Sequence, residues 1–213
     1  ISHRNPKSVY LCTLLFISNT LSLFSQAANT ITQGQLITDG QTILSSEQNF
    51  VLGFFSPGNS TLRYLGIWYN KVPVQTVVWV ANRDSPISGK VGVLTLTEDA
   101  NLIVLDGNGT AVWSSNTSLA SKNSTAILMD SGNLILSGNQ SLDGTDEVLW
   151  QSFNDSSDTF LPGNRVYMNV KTGENRAFTS WKSASDPSPG GCSMGVDPRG
   201  SPQLVVWEQR KRR

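Results

Sequence analysis

Residues 97–105 read "TEDANLIVL", and strict alternation places Thr97, Asp99, Asn101, Ile103 and Leu105 on one face of a strand. A carboxylate and an amide beside two aliphatic side chains suit neither a pure core face nor a solvated one. Two uses remain open: the polar pair hydrogen-bonds a ligand while the aliphatics pack on it, or the pair bonds local backbone amides and shapes a turn. Further acids occur at Asp143, Asp146 and Glu147 in "SLDGTDEV" and at Asp155 and Asp158 in "NDSSDT". Paired carboxylates can serve glycoside hydrolysis or hold calcium. No two of these are tied to a recognisable pocket, and they are expected to solvate loops. No metal or cofactor is expected.

The elements that must carry these groups are short. From Asn29 onward, apolar runs such as "NFVLGFFSPGNS", "QTVVWVANRD", "NLIVLDGNG" and "TAILMDSGNLILSGN" alternate with Gly, Asn, Asp, Ser and Pro clusters. No long helical periodicity competes, so the reading is all-β. "NFVL" at Asn49, "NLIV" at Asn101 and "NLIL" at Asn133 each precede a tryptophan-centred segment, at Trp79, Trp113 and Trp150. Those tryptophans lie 34 and 37 residues apart. A unit of that length makes three or four short strands, too few to bury a face alone. Three units can bury their faces together, with one tryptophan from each near a shared core. "SASDPSPGG" reads as a bend or linker.

Composition narrows the function. The chain has 213 residues with 16 basic and 16 acidic side chains, which gives no sign of nucleic-acid or membrane binding. Residues 1–28 read as a secretory signal peptide: His3, Arg4 and Lys7, an apolar run too short for a transmembrane helix, then the small-x-small pattern Ser25, Gln26 and Ala27. Its removal takes Arg4 and Lys7, leaving 14 basic against 16 acidic residues, and takes the single histidine and Cys12. A His-dependent triad, a His or Cys zinc site and an internal disulfide are thereby excluded, and Cys192 is expected as a buried small residue. Asn59, Asn108, Asn116, Asn123, Asn139 and Asn154 begin N-glycosylation sequons, expected on exposed turns.

The ordered strings "GFFSPGNSTLRYLGIWY", "VVWVANRDSPI", "LTEDANLIVLDGNGTAVWSSN", "LMDSGNLIL", "LWQSFNDSSDTFLPG" and "FTSWKSASDPSPGGCSMGVDPRGSPQLVVW" resemble the S-domain receptor-like kinases and S-locus glycoproteins of plants over residues 33–207. The resemblance implies a bulb-type lectin domain at 29–153, a β-prism of three pseudo-threefold four-stranded sheets. It implies a linker and the start of a truncated S-locus glycoprotein region at 154–213. Family receptors continue into further modules, a membrane span and a kinase, whereas this chain carries no kinase Gly-rich or catalytic loop.

Bulb-type lectins hold mannose with Gln-x-Asp-x-Asn-x-Val-x-Tyr in each repeat. Against that pattern the middle repeat offers Thr97, Asp99, Asn101, Ile103 and Leu105. The first offers Ser45, Glu47, Asn49, Val51 and Gly53, and the third Met129, Ser131, Asn133, Ile135 and Ser137. Only the middle repeat keeps both Asp and Asn, and none keeps the Gln or the Tyr. At about 1 kcal/mol net per hydrogen bond, losing two partners from a weak site is serious. The expectation is lost or very weak mannose binding, with Asp99 and Asn101 in a structural role. The chain then reads as a secreted, non-enzymatic recognition module. Its implied partners are receptor or ligand proteins at the plant cell surface, in pollen self-recognition or defence, with a homodimer allowed. A mannose-type lectin with one residual site is the alternative.

Overall fold

The computed structural model of the chain describes residues 29–117, 123–140, 146–197, 199, 201–209 and 211–212, so the expected signal peptide lies outside the described residues. In chain order the strands begin β1 (Thr30–Thr32), β2 (Leu36–Thr38), β3 (Thr42–Leu44), β4 (Phe50–Phe55), β5 (Leu62–Tyr69), β6 (Val77–Val80) and β7 (Ile87–Ser88). They continue with β8 (Val93–Leu96), β9 (Leu102–Leu105), β10 (Ala111–Ser114), β11 (Thr125–Leu128), β12 (Leu134–Gln140) and β13 (Asp146–Gln151). After a 3-10 turn at Ser152–Asn154 come β14 (Tyr167–Met168), β15 (Asn175–Arg176), β16 (Phe178–Ser183), β17 (Asp186–Asp197), β18 (Gln203–Glu208) and β19 (Lys211–Arg212).

The first thirteen strands form three antiparallel sheets, β3-β4-β5-β6, β2-β8-β9-β10 and β1-β11-β12-β13, with β7 paired to the start of β5 at Leu62 and Arg63. Three strands of each sheet are consecutive in the chain. The fourth comes from residues 30–44, whose strands β1, β2 and β3 join the third, second and first sheets in turn. No unit is therefore self-contained. Each needs an edge strand from one N-terminal run, where β-branched threonines and isoleucines suit extended pairing.

Alternation turns one side of every sheet to a common core. Leu52, Leu65, Ile67, Leu94, Leu96, Leu102, Val104, Leu128, Leu134 and Leu136 are buried in it. The last strand of each sheet supplies a tryptophan, and the three indoles meet edge to face. Ring centroids lie 5.7 Å apart for Trp79 and Trp113, 5.8 Å for Trp79 and Trp150, and 5.6 Å for Trp113 and Trp150. The positive edge of one ring faces the negative face of the next, which adds about 0.5–1.5 kcal/mol per pair to the area buried. Trp79, buried in the core, donates its indole N–H to the Asp155 carbonyl at 2.8 Å.

Pairing also corrects the repeat alignment. Trp79 stands opposite Ile67, as Trp113 does opposite Val104 and Trp150 opposite Leu136. Thus β5, β9 and β12 correspond, and the strand that follows Asn49 is β4, one place further from the tryptophan strand. "NFVL" resembles "NLIV" and "NLIL" because any strand leaving a polar turn reads that way, not because it holds the same place.

The segment "SASDPSPGG", expected as a bend or linker, turns only at its start and otherwise enters a sheet. Strands β16, β17, β18 and β19 form a four-stranded antiparallel sheet in that order. Only Ala184 and Ser185 turn, while Pro187 and Pro189 lie inside β17. The register against β16 shifts twice around Trp181, so the ladder bends where the prolines sit. Gly190 permits it: a Cβ there would lie 2.3 Å from the Trp181 carbonyl.

Arg83 fixes this sheet to the first. Its Nε donates to the Pro187 carbonyl at 2.7 Å, and Nη2 donates to the Thr179 and Ser180 carbonyls at 3.0 and 3.1 Å. Burial pulls the guanidinium below its ordinary pKa, against which Asp158, Asp84 and Asp155 act. Thr179 also donates its N–H to the Ser157 carbonyl at 2.9 Å. Since charged hydrogen bonds contribute about 1.5–3 kcal/mol, Arg83→Met should speed amide exchange in β16–β18 by roughly 10–100-fold. Exchange in β9 and β12 should not change, as hydrogen-exchange mass spectrometry would read. Trp113→Ala should instead lower global stability by about 3–5 kcal/mol in urea unfolding.

Candidate functional site

Between β8 and β9, Thr97 and Asn101 close a hairpin whose loop is Glu98, Asp99 and Ala100. The Thr97 N–H donates to the Asn101 carbonyl at 2.9 Å, and the Ala100 N–H to the Thr97 carbonyl at 3.1 Å. Ala100 takes φ +62°, the left-handed conformation this loop demands, and its methyl is buried. The five sequence-predicted residues therefore do not line one strand. Asn101, Ile103 and Leu105 keep the alternation, whereas Asp99 lies in the turn and Thr97 stands across the hairpin from Asn101. The chain reverses between Thr97 and Asn101, so alternation has no meaning there.

Asp99 is exposed, and its carboxylate is met by the Thr97 hydroxyl at Oδ1 and the Asn101 Nδ2 at Oδ2, the latter at 3.4 Å. The Thr97 bond chiefly, helped by Asp99's own N–H and by Asn101, holds the carboxyl below its ordinary pKa. Asn101 turns inward. Its Oδ1 accepts the Thr117 N–H at 2.8 Å and faces the Ser115 and Ser114 hydroxyls at 3.4 and 3.5 Å. The Thr117 hydroxyl in turn donates to the Ala100 carbonyl at 2.6 Å, and the Ser115 oxygen accepts the Leu102 N–H at 3.1 Å.

The β11–β12 hairpin repeats the arrangement. Gly132 holds φ +83°, and a Cβ there would come within 2.8 Å of Phe50 and 3.0 Å of Leu161. Asn133 Oδ1 accepts the Phe153 N–H and the Ser152 hydroxyl, both at 3.1 Å, and its Nδ2 donates to Gln151 Oε1 at 2.8 Å. Leu134 donates its N–H to the Ser152 oxygen at 2.9 Å. Met129 and Ser131 are exposed, Ile135 is half-buried and Ser137 buried. In both sheets an asparagine after the turn and a serine two residues past the tryptophan thus lock the start of β9 or β12 to the segment that follows β10 or β13. The signal was present as Trp113 with Ser115 and Trp150 with Ser152, and sequence reasoning missed both serines.

The first sheet departs from this. Tyr64 occupies the asparagine position, buried to 2 % exposure, with Ala81 in place of the serine and Asn82 Oδ1 taking the Leu65 N–H at 2.8 Å. The sequence-predicted set Ser45, Glu47, Asn49, Val51 and Gly53 lies instead on the β3–β4 hairpin. There Ser45 Oγ accepts the Asn49 and Phe50 N–H groups, each at 3.1 Å. Asn49 donates to Glu47 at 3.2 Å and accepts from Lys71 Nζ at 3.0 Å. Val51 and Gly53 are buried.

Of the acids, Asp143 lies outside the described residues, as does the Asp146 side chain, and Glu147 is exposed. Asp155 is exposed as a residue, yet loss of solvation around its carboxyl raises the pKa against the pull of Arg83, while Asp158 accepts the Ser157 hydroxyl at 3.1 Å. Among the described residues no three His, Cys, Asp or Glu side chains gather for a metal, and no helix is long and apolar enough to cross a membrane. Asn59, Asn108, Asn116, Asn123 and Asn154 are exposed outside the strands; Asn139 sits within β12 rather than on a turn. Cys192 corrects its expectation too. It is exposed on β17, opposite Glu208.

Residues 76–182 match the family model described as D-mannose binding lectin, and the chain belongs to that family. Lectin receptor-like kinases are among its curated relatives. From Arabidopsis thaliana, the G-type lectin S-receptor-like serine/threonine-protein kinase B120 is 48 % identical over 212 residues, which is 97 % of this chain and 24 % of that protein. The kinase SD1-13 is 43 % identical over 94 % of this chain and 24 % of its own length. The chain thus spans about a quarter of the length of the relatives it matches. Among solved structures, a Marasmius oreades lectin aligns with TM-score 0.46 at 18 % identity over 60 % of this chain and 92 % of its own. The snowdrop (Galanthus nivalis) mannose-specific agglutinin complexed with methyl-alpha-D-mannoside aligns with TM-score 0.41 at 20 % identity, over 53 % and 92 %.

Two measurable consequences follow from the hairpin bonds. Asn101→Ala leaves the Thr117 N–H without its acceptor and should cost about 1–3 kcal/mol in chemical unfolding. Because the folded pKa of Asp99 is depressed, its contribution is present above the unfolded value and lost as pH falls through the folded one. Thr97→Val should return the Asp99 titration, followed by carboxyl NMR, towards the ordinary value.

Proposed function

We propose that the chain is the extracellular recognition module of an S-domain receptor-like kinase or a secreted S-locus-type glycoprotein, recognising protein partners at the plant cell surface. On this reading residues 1–28 are the signal peptide and 29–153 a bulb-lectin β-prism, its three sheets related by a pseudo-threefold axis near the tryptophan triad. Residues 154–213 are a linker and the start of the S-locus glycoprotein region, to which the sheet β16-β17-β18-β19 belongs. The mannose sites are degenerate. The observation that carries this is the use of Asn101 and Asn133: their amides bond the backbone at Thr117 and Phe153, so the groups a sugar would need serve the fold. The first sheet has Tyr64 at that position. Family membership supports receptor–ligand contacts and an extracellular location. Asn59, Asn108, Asn116, Asn123 and Asn154 are accordingly glycan acceptors, with Asn139 the sixth.

A residual sugar site in the middle repeat has one observation in its favour, the exposed and readily ionised Asp99. Calorimetric titration of the enzymatically deglycosylated secreted chain with methyl mannoside separates the two. No heat at millimolar sugar is expected, alongside surface-plasmon binding to an S-domain receptor ectodomain that Asp99→Ala leaves unchanged. Mannoside binding abolished by Asp99→Ala would overturn the reading in favour of a lectin.

A further inference from the structure

The β9–β10 turn holds one of the sequons, Asn108 to Thr110, beside a groove of about 500 Å³. Ile87 and Ser88 of β7, Val91 ahead of β8 and Val112 of β10 line it together with Asp106 and Asn108. Val91 is left 48 % exposed, and Val112, the residue skipped where the β9–β10 register shifts, is half-buried. Gly107 brings Val91 against the turn, because a Cβ there would lie 2.8 Å from a Val91 methyl.

The turn is held so that the Asn108 side chain leaves the backbone from a fixed place. The Asp106 N–H donates to the Thr110 carbonyl at 2.9 Å and the Gly109 N–H to the Asp106 carbonyl at 3.1 Å, with Gly109 at φ +78°. Asp106 Oδ1 accepts the N–H groups of Asn108 and Thr110, both at 2.9 Å. By contrast the Asn108 amide, Asp106 Oδ2 and the Ser88 hydroxyl bond to no other described group. Three unengaged polar groups beside valine methyls make a mixed surface, which suits one face of an amphipathic sugar ring better than an apolar ligand. Asn108 itself is what would hold a sugar there. A tethered group sits at an effective concentration of about millimolar, so contacts too weak to capture a free sugar are enough.

We propose that Asn108 carries an N-linked glycan whose first N-acetylglucosamine folds back into this groove and fastens the β9–β10 turn to β7 and Val91. Asn108 Nδ2 forms a bond to the anomeric carbon of a lipid-diphosphate-linked oligosaccharide, the lipid diphosphate leaves, and the nitrogen loses one proton. The acetamido methyl of that sugar packs on Val91 and Val112, and its N–H or a ring hydroxyl donates to Asp106 Oδ2. The proposal rests on the reading of the chain as extracellular and deepens it, giving one glycan a structural task.

The test uses the full chain secreted from cultured plant cells as a high-mannose glycoprotein, then trimmed with an endoglycosidase that leaves one N-acetylglucosamine per site. Glycopeptide mass spectrometry is expected to find Asn108 occupied. Nuclear Overhauser effects should join its N-acetyl methyl to the Val91 and Val112 methyls. In urea, Asn108→Gln should raise the unfolding constant about five- to tenfold, as uncovering roughly 50 Å² of apolar surface implies. In a Val91→Ser background the same substitution should change it by less than about twofold, because the contact is already gone. An occupied Asn108 without those Overhauser effects, or with an equal cost of Asn108→Gln in both backgrounds, would overturn the proposal. So would an empty Asn108 beside filled sequons elsewhere, which leaves the extracellular reading intact. A chain with none of its six sequons filled would overturn that reading too.

Discussion

The contact of Trp79, Trp113 and Trp150 is the constraint on which the three sheets depend. Each sheet has one apolar face and too few strands to bury it, so none is stable alone. Burial is complete only when all three faces close together, and the tryptophan on each last strand brings the largest apolar surface to the place where they meet. The edge-to-face geometry lets three bulky rings converge without stacking.

The N-terminal run makes this closure a property of the whole chain. Residues 30–44 give one edge strand to each sheet, so the sheets are joined through backbone hydrogen bonds as well as side-chain packing. The arrangement differs from a solenoid, whose units contact only their neighbours. It also gives the fold many contacts between residues far apart in sequence, because β1 must find β11 across more than ninety residues. Removal of one edge strand would expose the unpaired groups of its sheet while leaving the other two paired.

The asparagine hairpins show how one residue type can serve two ends. An amide carries a donor and an acceptor, equally suited to a sugar hydroxyl or to a peptide group. At Asn101 and Asn133 the acceptor is turned inward on a backbone N–H, and a serine hydroxyl completes the set. Asp99 remains outside because its carboxylate is satisfied by a hydroxyl within the same turn and is still hydrated. Arg83 makes a comparable choice, spending a guanidinium on main-chain carbonyls to join two sheets rather than on a ligand.

Much of this was legible in the residues themselves. Short alternating runs between turn residues specify strands because side-chain period and turn chemistry are local properties, and the three tryptophans announced a shared core by their spacing. Alternation also placed Asn101, Ile103 and Leu105 together correctly. What only the tertiary structure decided is non-local. The borrowing of β1, β2 and β3 by different sheets leaves no mark in local pattern, and the place of "NFVL" one strand away from "NLIV" emerges only from pairing. Pro187 and Pro189 read as a bend because proline lacks a ladder donor; a shifted register and the bare Cα of Gly190 made room for them in β17. Ser115 and Ser152 are ordinary residues until the hairpins fold onto them, since a hydroxyl acquires its role from the amide that the fold places beside it.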